Sequence, residues 1–252
     1  PLGETTNTLV LIAKVLVLPT SIYEKHTFAL TNGGIQVKRA IVAPYAAVEL
    51  IGSYPDMPVD YILVDMGAKE TVVSLVGMKQ LFASTIFDFG SDSITYKIME
   101  LFNISEEEAE LIKCSYGITN REMNFEAPVN VLSNENNQSK HTEKELNKVI
   151  KTELDKFVAG LNETINELLK NGKPSHKSLP MVLIGGGSLL KGLVQYLEPK
   201  VQSKSVQVFV PNTIGCRNPS FVNLLGMIYV QSQEKTILDK NIPQVGEVTR
   251  VK

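Results

Sequence analysis

The chain is poor in the residues that build redox and metal centres. Its 252 residues include two cysteines, Cys114 and Cys216, and three histidines. The cysteines lie far apart at no metal or redox spacing, so they read as buried or idle thiols in a reducing, cytoplasmic setting. His26, His141 and His176 fit no Ser-His-Asp or His-Glu-x-x-His pattern and read as surface residues. A formal net charge of -2 supplies no overall basic field, which argues against a nucleic-acid partner. The longest lipid-like run, residues 9–18, is short and interrupted by Lys14, so no membrane-spanning helix is expected. No internal repeat is evident. The sequence opens at Pro1 without an initiator methionine or signal peptide, which predicts an N-terminally truncated piece of a longer chain. What is present in quantity is apolar residue, 43%, enough for the core of one large or two ordinary domains.

The stretch richest in meaning runs from Met181 to Gly192. The apolar residues Met181 to Ile184 give way to Gly185, Gly186, Gly187 and Ser188, then to Leu189, Leu190, Leu193 and Leu197 at helical spacing. The pattern predicts strand, glycine turn and helix, with Ser188 as the helix cap and a helix N-terminus that favours anions. A plain tight turn between a buried strand and its covering helix accounts for the same residues equally well. Leu190 stands where a dinucleotide fingerprint needs glycine, and Leu193 and Val194 follow Gly192 where a Walker phosphate loop needs Lys-Ser or Lys-Thr. A nucleotide at this turn would therefore be held in another fold.

Taken in order, residues 8–18 predict a strand, residues 22–32 a helix closed by Gly33 and Gly34, and residues 35–43 a second strand. Pro44 starts a helix through Ile51. Apolar runs around a polar turn at residues 61–76 predict a hairpin. Asp65, at the end of its first strand, is costly to bury unless a hydrated metal ion or the amides of the turn satisfy it; it could equally cap the hairpin. Gly67 lets phosphate oxygens approach main-chain amides. Residues 79–89 add a third strand, and Gly90-Ser91-Asp92 leads into a helix over 93–102. Ser105 and Glu108 form a capping box for a helix through Ser115, on which Glu110 and Lys113 share a face as a surface ion pair. A strand candidate at 127–132 sits in polar loops, and Thr142 with Glu145 caps a long helix to about residue 170. Residues 206–210 predict a strand, Asn218-Pro219 a helix through Val230 with Gly226 inside it, and residues 233–252 an extended tail.

Asp65-x-Gly67, Gly90-x-Asp92, Glu110 with Lys113, Gly185-Gly186-Gly187-Ser188, and Asn218-Pro219 with Gly226 follow one another in an order that resembles the actin and Hsp70 superfamily of ATPases. Within it the chain is most similar to the bacterial cell-division family FtsA. Pro1-Leu2-Gly3, Ala43-Pro44-Tyr45 with Ala46-Ala47, Glu107 to Glu110 ahead of Tyr116-Gly117, and Pro211 with Ile214-Gly215 extend the likeness over nearly the whole chain. The resemblance implies an α/β, actin/Hsp70-like (ribonuclease H-like) fold with an incomplete first domain and mixed sheets flanked by helices. It implies ATP and Mg as cofactors. Asp65 and Gly67 would lie on the second phosphate hairpin, with Asp65 holding the metal through water and Gly90 beside them. Glu110 and Lys113 would face ribose and adenine, and Gly185, Gly186, Gly187 and Ser188 would form the adenine shelf. It further implies head-to-tail filaments at the septum, on the cytoplasmic face of the cell membrane, and binding of the C-terminal tail of the tubulin-like FtsZ. The implied domains are a small subdomain at 1–43, a remnant of the first large subdomain at 44–58 and 216–252, a nucleotide-side subdomain at 59–100 and 181–215, and a helical subdomain at 101–180 that receives the FtsZ tail.

Departures from the family bear on activity. The family hairpin usually reads Asp-x-Gly-Gly-Gly-Thr-Thr, whereas Ala68, Lys69 and Glu70 follow Gly67 here. A Cβ at Ala68 would disfavour positive φ by about 1 kcal/mol, and Glu70 would bring a carboxylate near the phosphates, partly offset by Lys69. Leu111 stands where a lysine is expected. The family's first phosphate hairpin lies upstream of anything matching Pro1, so residues 40–52 and 219–233 are expected to lack their usual packing surface. Membrane contact is expected only through a basic amphipathic helix that is absent here. The expected function is a filament-forming division protein linking the FtsZ ring to the membrane, with a partial or degenerate ATP site and at most slow ATPase activity. The alternatives are an active PilM-like ATPase of pilus assembly and, less favoured, a sugar or acetate kinase.

Overall fold

A strand that is apolar on both faces must be covered from both sides, and the computed structural model of the chain treats β1, Tyr61–Met66, in this way. The structure describes residues 15–119, 126–131, 138–171 and 179–238. β1 pairs antiparallel with β2, Thr71–Gly77, which pairs antiparallel with β3, Gln80–Phe87. On its other side β1 pairs in parallel with β6, Met181–Ile184, and β6 with β7, Val206–Val208. The five-stranded sheet therefore has the order β3-β2-β1-β6-β7. A separate pair joins β4, Pro128–Asn130, to β5, Gln138–Thr142.

Alternate residues of β1 feed two cores. Ile62, Val64 and Met66 meet α3, Asp92–Phe102, α4, Glu106–Tyr116, α5, Glu143–Asn171, and α6, Leu193–Leu197. Tyr61 and Leu63 meet α2, Ala43–Gly52, and α7, Val222–Leu238. α5 forms as its capping box predicts: Thr142 N donates to Glu145 Oε2 at 2.9 Å, and Glu145 N donates to Thr142 Oγ1 at 3.4 Å. Its buried stripe runs Leu146, Ile150, Leu154, Phe157, Leu161 and Ile165, each contributing roughly 1.5–3 kcal/mol by burial.

Helices α2 and α7 find a packing surface on one side, whereas Phe221, Leu224 and Ile228 within residues 219–233 stay exposed, as expected of a segment without its usual cover. α2 and α7 pack on each other and on the sheet, closely enough that a Cβ on Gly226 would collide with the Ala46 carbonyl. The chain divides into two units, residues 1–42 and 43–252. In the first, α1, Thr20–Asn32, forms as expected, and Gly34 closes it at φ 78°. The strand expected at 8–18 lies partly outside the described residues, and 15–18 carry no strand. The strand expected at 35–43 does not form. Apolar alternation supplies a face but no partner, and among the described residues no ladder includes this segment, where Ile35 is 55% exposed. The tail expected at 233–252 is helical as far as Leu238, and its remainder lies outside the described residues.

Candidate nucleotide-binding site

The turn between β1 and β2 is closed on itself. Gly67 N donates to Glu70 O at 3.0 Å, and a Cβ on Gly67 would stand 2.8 Å from that oxygen. The turn's own carbonyls are then capped by α3: Ser91 N donates to Gly67 O at 3.0 Å and Asp92 N to Ala68 O at 2.8 Å. Gly90 must be glycine here, since a Cβ would run into the Ala68 carbonyl. Thr71 Oγ1 donates to Phe89 O at 2.7 Å and fixes the second strand to the same segment. The amides of Gly67, Ser91 and Asp92 are thus spent within the protein. Ala68, Lys69 and Glu70 are exposed. Positive φ among non-glycine residues occurs at Met78, Lys79 and Asn103, so the strain expected at Ala68 does not arise.

Asp65 lies one residue short of the end of β1, and the parallel ladder sets it beside Ile184. That register brings the glycine turn onto it. Gly185, at φ 83°, presses on Asp65 and Met66 so closely that a Cβ would strike Asp65 Oδ1 and stand 2.5 Å from Met66 O. Gly187 leans on the Met66 side chain, with a Cβ position 2.6 Å from Cγ. Gly185 N donates to Pro219 O at 3.2 Å, and Asn223 Nδ2 donates to Asp65 Oδ2 at 2.7 Å, so α7 is tied to the same point. Burial pushes the Asp65 carboxyl above the usual carboxylate range, and the Asn223 hydrogen bond recovers only part of that shift. Asn223 Oδ1 is buried with no hydrogen-bond partner.

The expected helix at Ser188 takes another form. Gly186–Leu189 make a 3-10 turn, Ser188 Oγ donates back to Gly185 O at 2.7 Å, and the helix proper begins only after Gly192 at φ 79°. Ser188 is therefore a turn lock rather than a helix cap. Gly186 differs from its neighbours in having no atom within 4 Å of a would-be Cβ, so this point of the turn faces open space.

Glu110 and Lys113 occupy one face of α4 as predicted, but they are no surface pair. The Lys113 side chain is 5% exposed and lies 2.6 Å from Glu110 Oε2, while Glu110 is 47% exposed. Lys113 Nζ also donates to Ser91 O at 3.2 Å and to Thr95 Oγ1 at 2.8 Å, and Thr95 Oγ1 donates to Glu110 Oε2 at 2.7 Å. Burial raises the Glu110 carboxyl, but hydrogen bonds from Lys113 and Thr95 outweigh it and hold the group below its ordinary value. Cys114 is exposed rather than buried, with Sγ 3.5 Å from Glu110 Oε1. Leu111 faces solvent at 58% exposure.

The predicted residues thus form one continuous chain of contacts: the glycine turn on Asp65 and Met66, Gly67 on Ser91, Ser91 on Lys113, and Lys113 on Glu110. Thr95 and Asn223 are participants the sequence reading missed. Thr95 carries only a first-turn position on α3 as a signal, and Asn223 only its place one turn after Asn218-Pro219. Against a nucleotide, the nucleoside side fits: a half-exposed carboxylate is held in place and Gly186 faces open space. The phosphate side does not, because the three amides best placed for an anion already serve carbonyls. Among the described residues no group of three or more His, Cys, Asp or Glu side chains is arranged to hold a metal ion.

The pattern of the family described as Cell division protein FtsA matches residues 62–226, well over half of the chain. A cell division protein FtsA of Enterococcus hirae is 28% identical over 213 residues, covering 83% of this chain and 47% of that protein. One from Bacillus subtilis (strain 168) is 23% identical over 216 residues, covering 84% and 47%. The chain spans about half the length of the curated relatives it matches. Among solved structures, a PilM-PilN type IV pilus biogenesis complex has a TM-score of 0.63 at 17% identity, covering 84% of this chain and 58% of its own. MreB 5 of Spiroplasma citri bound to AMPPNP has a TM-score of 0.63 at 14% identity, covering 89% and 68%. At such identities the likeness concerns the fold, and that fold is actin-like, as the order of motifs implied. Among the described residues no helix is long and apolar enough to cross a membrane.

Proposed function

Because the chain belongs to the FtsA family of cell-division proteins, we propose that it is an actin-like, filament-forming component of the septum that links an FtsZ ring to the membrane. The family match over residues 62–226 carries this reading, since it includes the hairpin, helices α3 to α5 and the glycine turn together. The subdomain at residues 101–180 receives the FtsZ C-terminal tail. Membrane contact is made on the cytoplasmic side.

The same reading gives the protein a nucleotide pocket of unequal halves. Glu110 would accept hydrogen bonds from ribose hydroxyls, Gly186, the exposed point of the Gly185–Ser188 turn, would meet the base, and Asp65 would hold a water of the magnesium shell. ATP with magnesium would supply, when bound, a charge-dense phosphate group on the side of the Asp65–Gly67 hairpin. The Ala68-Lys69-Glu70 turn contributes a carboxylate and no free Gly67 amide toward that charge, so binding is weak and turnover at most slow. The PilM-like and kinase alternatives rest on the shared fold alone.

Retention of the purified chain on an immobilised peptide of the FtsZ C-terminal tail tests the division assignment. The expected result is retention that a scrambled peptide does not reproduce, and equal behaviour of the two peptides would overturn it.

A further inference from the structure

We propose that Thr95 is the positioning residue of the nucleoside side: its hydroxyl locks Glu110 and Lys113 so that Glu110 alone, through Oε1, presents an acceptor outward. This rests on the reading of Glu110 as the ribose-facing group. Thr95 sits in the first turn of α3 and is 1% exposed. Its Oγ1 has a single proton, which goes to Glu110 Oε2 at 2.7 Å rather than to Ser91 O at 3.4 Å. The oxygen in turn accepts from Lys113 Nζ at 2.8 Å. The ammonium group donates to Ser91 O and Thr95 Oγ1 and lies 2.6 Å from Glu110 Oε2 as its ion-pair partner. Lys113, its side chain 5% exposed, thereby fastens α4 to the N-terminal end of α3. Glu110 Oε2 accepts from Thr95 Oγ1 and pairs with the Lys113 ammonium, whereas Oε1 meets only the Cys114 thiol, a weak donor, at 3.5 Å. With the Glu110 side chain 47% exposed, Oε1 is the acceptor that a vicinal diol would find.

Thr95→Val keeps the volume and deletes both hydrogen bonds, and Thr95→Ser restores the hydroxyl. Cys114 reports on the lock without any ligand. Burial first, then the charge and hydrogen bond of Glu110, hold its thiol up, so a Glu110 that swings away makes the thiol more reactive. The expected result is a rate of Cys114 modification by DTNB at mildly alkaline pH that rises at least about threefold in Thr95→Val, stays at the wild-type value in Thr95→Ser, and leaves Cys216 unchanged as the measure of general loosening. The second readout is competition by ATP against 2′,3′-dideoxy-ATP. Wild type should prefer ATP by about tenfold, and Thr95→Val should lose that preference while still binding. An unchanged Cys114 rate in Thr95→Val, or a rate raised equally at Cys216, would overturn the positioning role. A raised Cys114 rate in a protein whose wild type shows no preference for ATP would overturn the ribose reading and leave the lock itself standing.

Discussion

The two sides of the candidate site satisfy their polar groups by different means. On the nucleoside side, side chains from two helices hold one another: Thr95 and Lys113 secure Glu110 and leave one of its oxygens outward. On the turn side the main chain consumes itself, with Gly67, Ser91 and Asp92 donating to turn carbonyls, and Asp65 is left as a half-buried carboxylate served by Asn223. The first arrangement keeps a binding group available after folding is complete. The second gives a rigid turn and little that an anion can use. On the proposed reading, a nucleoside wall and a phosphate wall can part company because the two are built from different kinds of hydrogen bond.

The largest effect should come from adjacent glycines. Gly185→Ala places a Cβ at positive φ against Asp65 and Met66 and should cost about 3 kcal/mol in urea unfolding, whereas Gly186→Ala, with open space around it, should change stability by less than about 0.5 kcal/mol. Equal losses at both positions would break the distinction between the packed and the open parts of the turn. A smaller, pH-dependent effect separates the two carboxylates. Asp65 has a raised value in the folded state, so its protonated form favours folding and that stability is lost as pH rises through the raised value. Asp65→Asn keeps an acceptor for Asn223 and should therefore be more stable than wild type at neutral pH, with the gain vanishing in acid. Glu110 has a lowered value, so its contribution is present at neutral pH and lost as pH falls through that value, and Glu110→Gln should flatten the acid arm instead. Denaturant midpoints across the pH range measure both, and a gain for Asp65→Asn that persists below about pH 3 would contradict the assignment.

Much of the fold was legible because its helices and hairpin carry their own punctuation. Thr142 with Glu145 announced α5, Ser105 announced α4, and the apolar runs around Asp65 announced the hairpin. The segment at 35–43 failed because strand pairing depends on a partner that local pattern cannot supply. Met78 and Lys79 take positive φ in the β2–β3 turn without an Asn-Gly signal. Lys79 Nζ donates to Gly52 O at 2.9 Å, so that residue is held by a tertiary contact. The site was half legible for the same reason. Glycines and the Asp65 position stand out in a sequence, but the contact of Asp65 with Asn223 spans 158 residues and exists only because β6 lies beside β1. Lys113 looked like half of a surface pair until α3 covered it.

On the proposed reading the nucleoside side is competent, and the side chains at residues 68–70 add to the spent main-chain amides in weakening the phosphate side. Titration with a fluorescent ATP analogue and magnesium, run on wild type and on an Ala68→Gly, Lys69→Gly, Glu70→Thr variant, tests it directly. Weak or absent binding by wild type and at least about tenfold tighter binding by the variant is the predicted result. Sub-micromolar binding by wild type, on the order of -8 kcal/mol or stronger, or no gain in the variant, would contradict it.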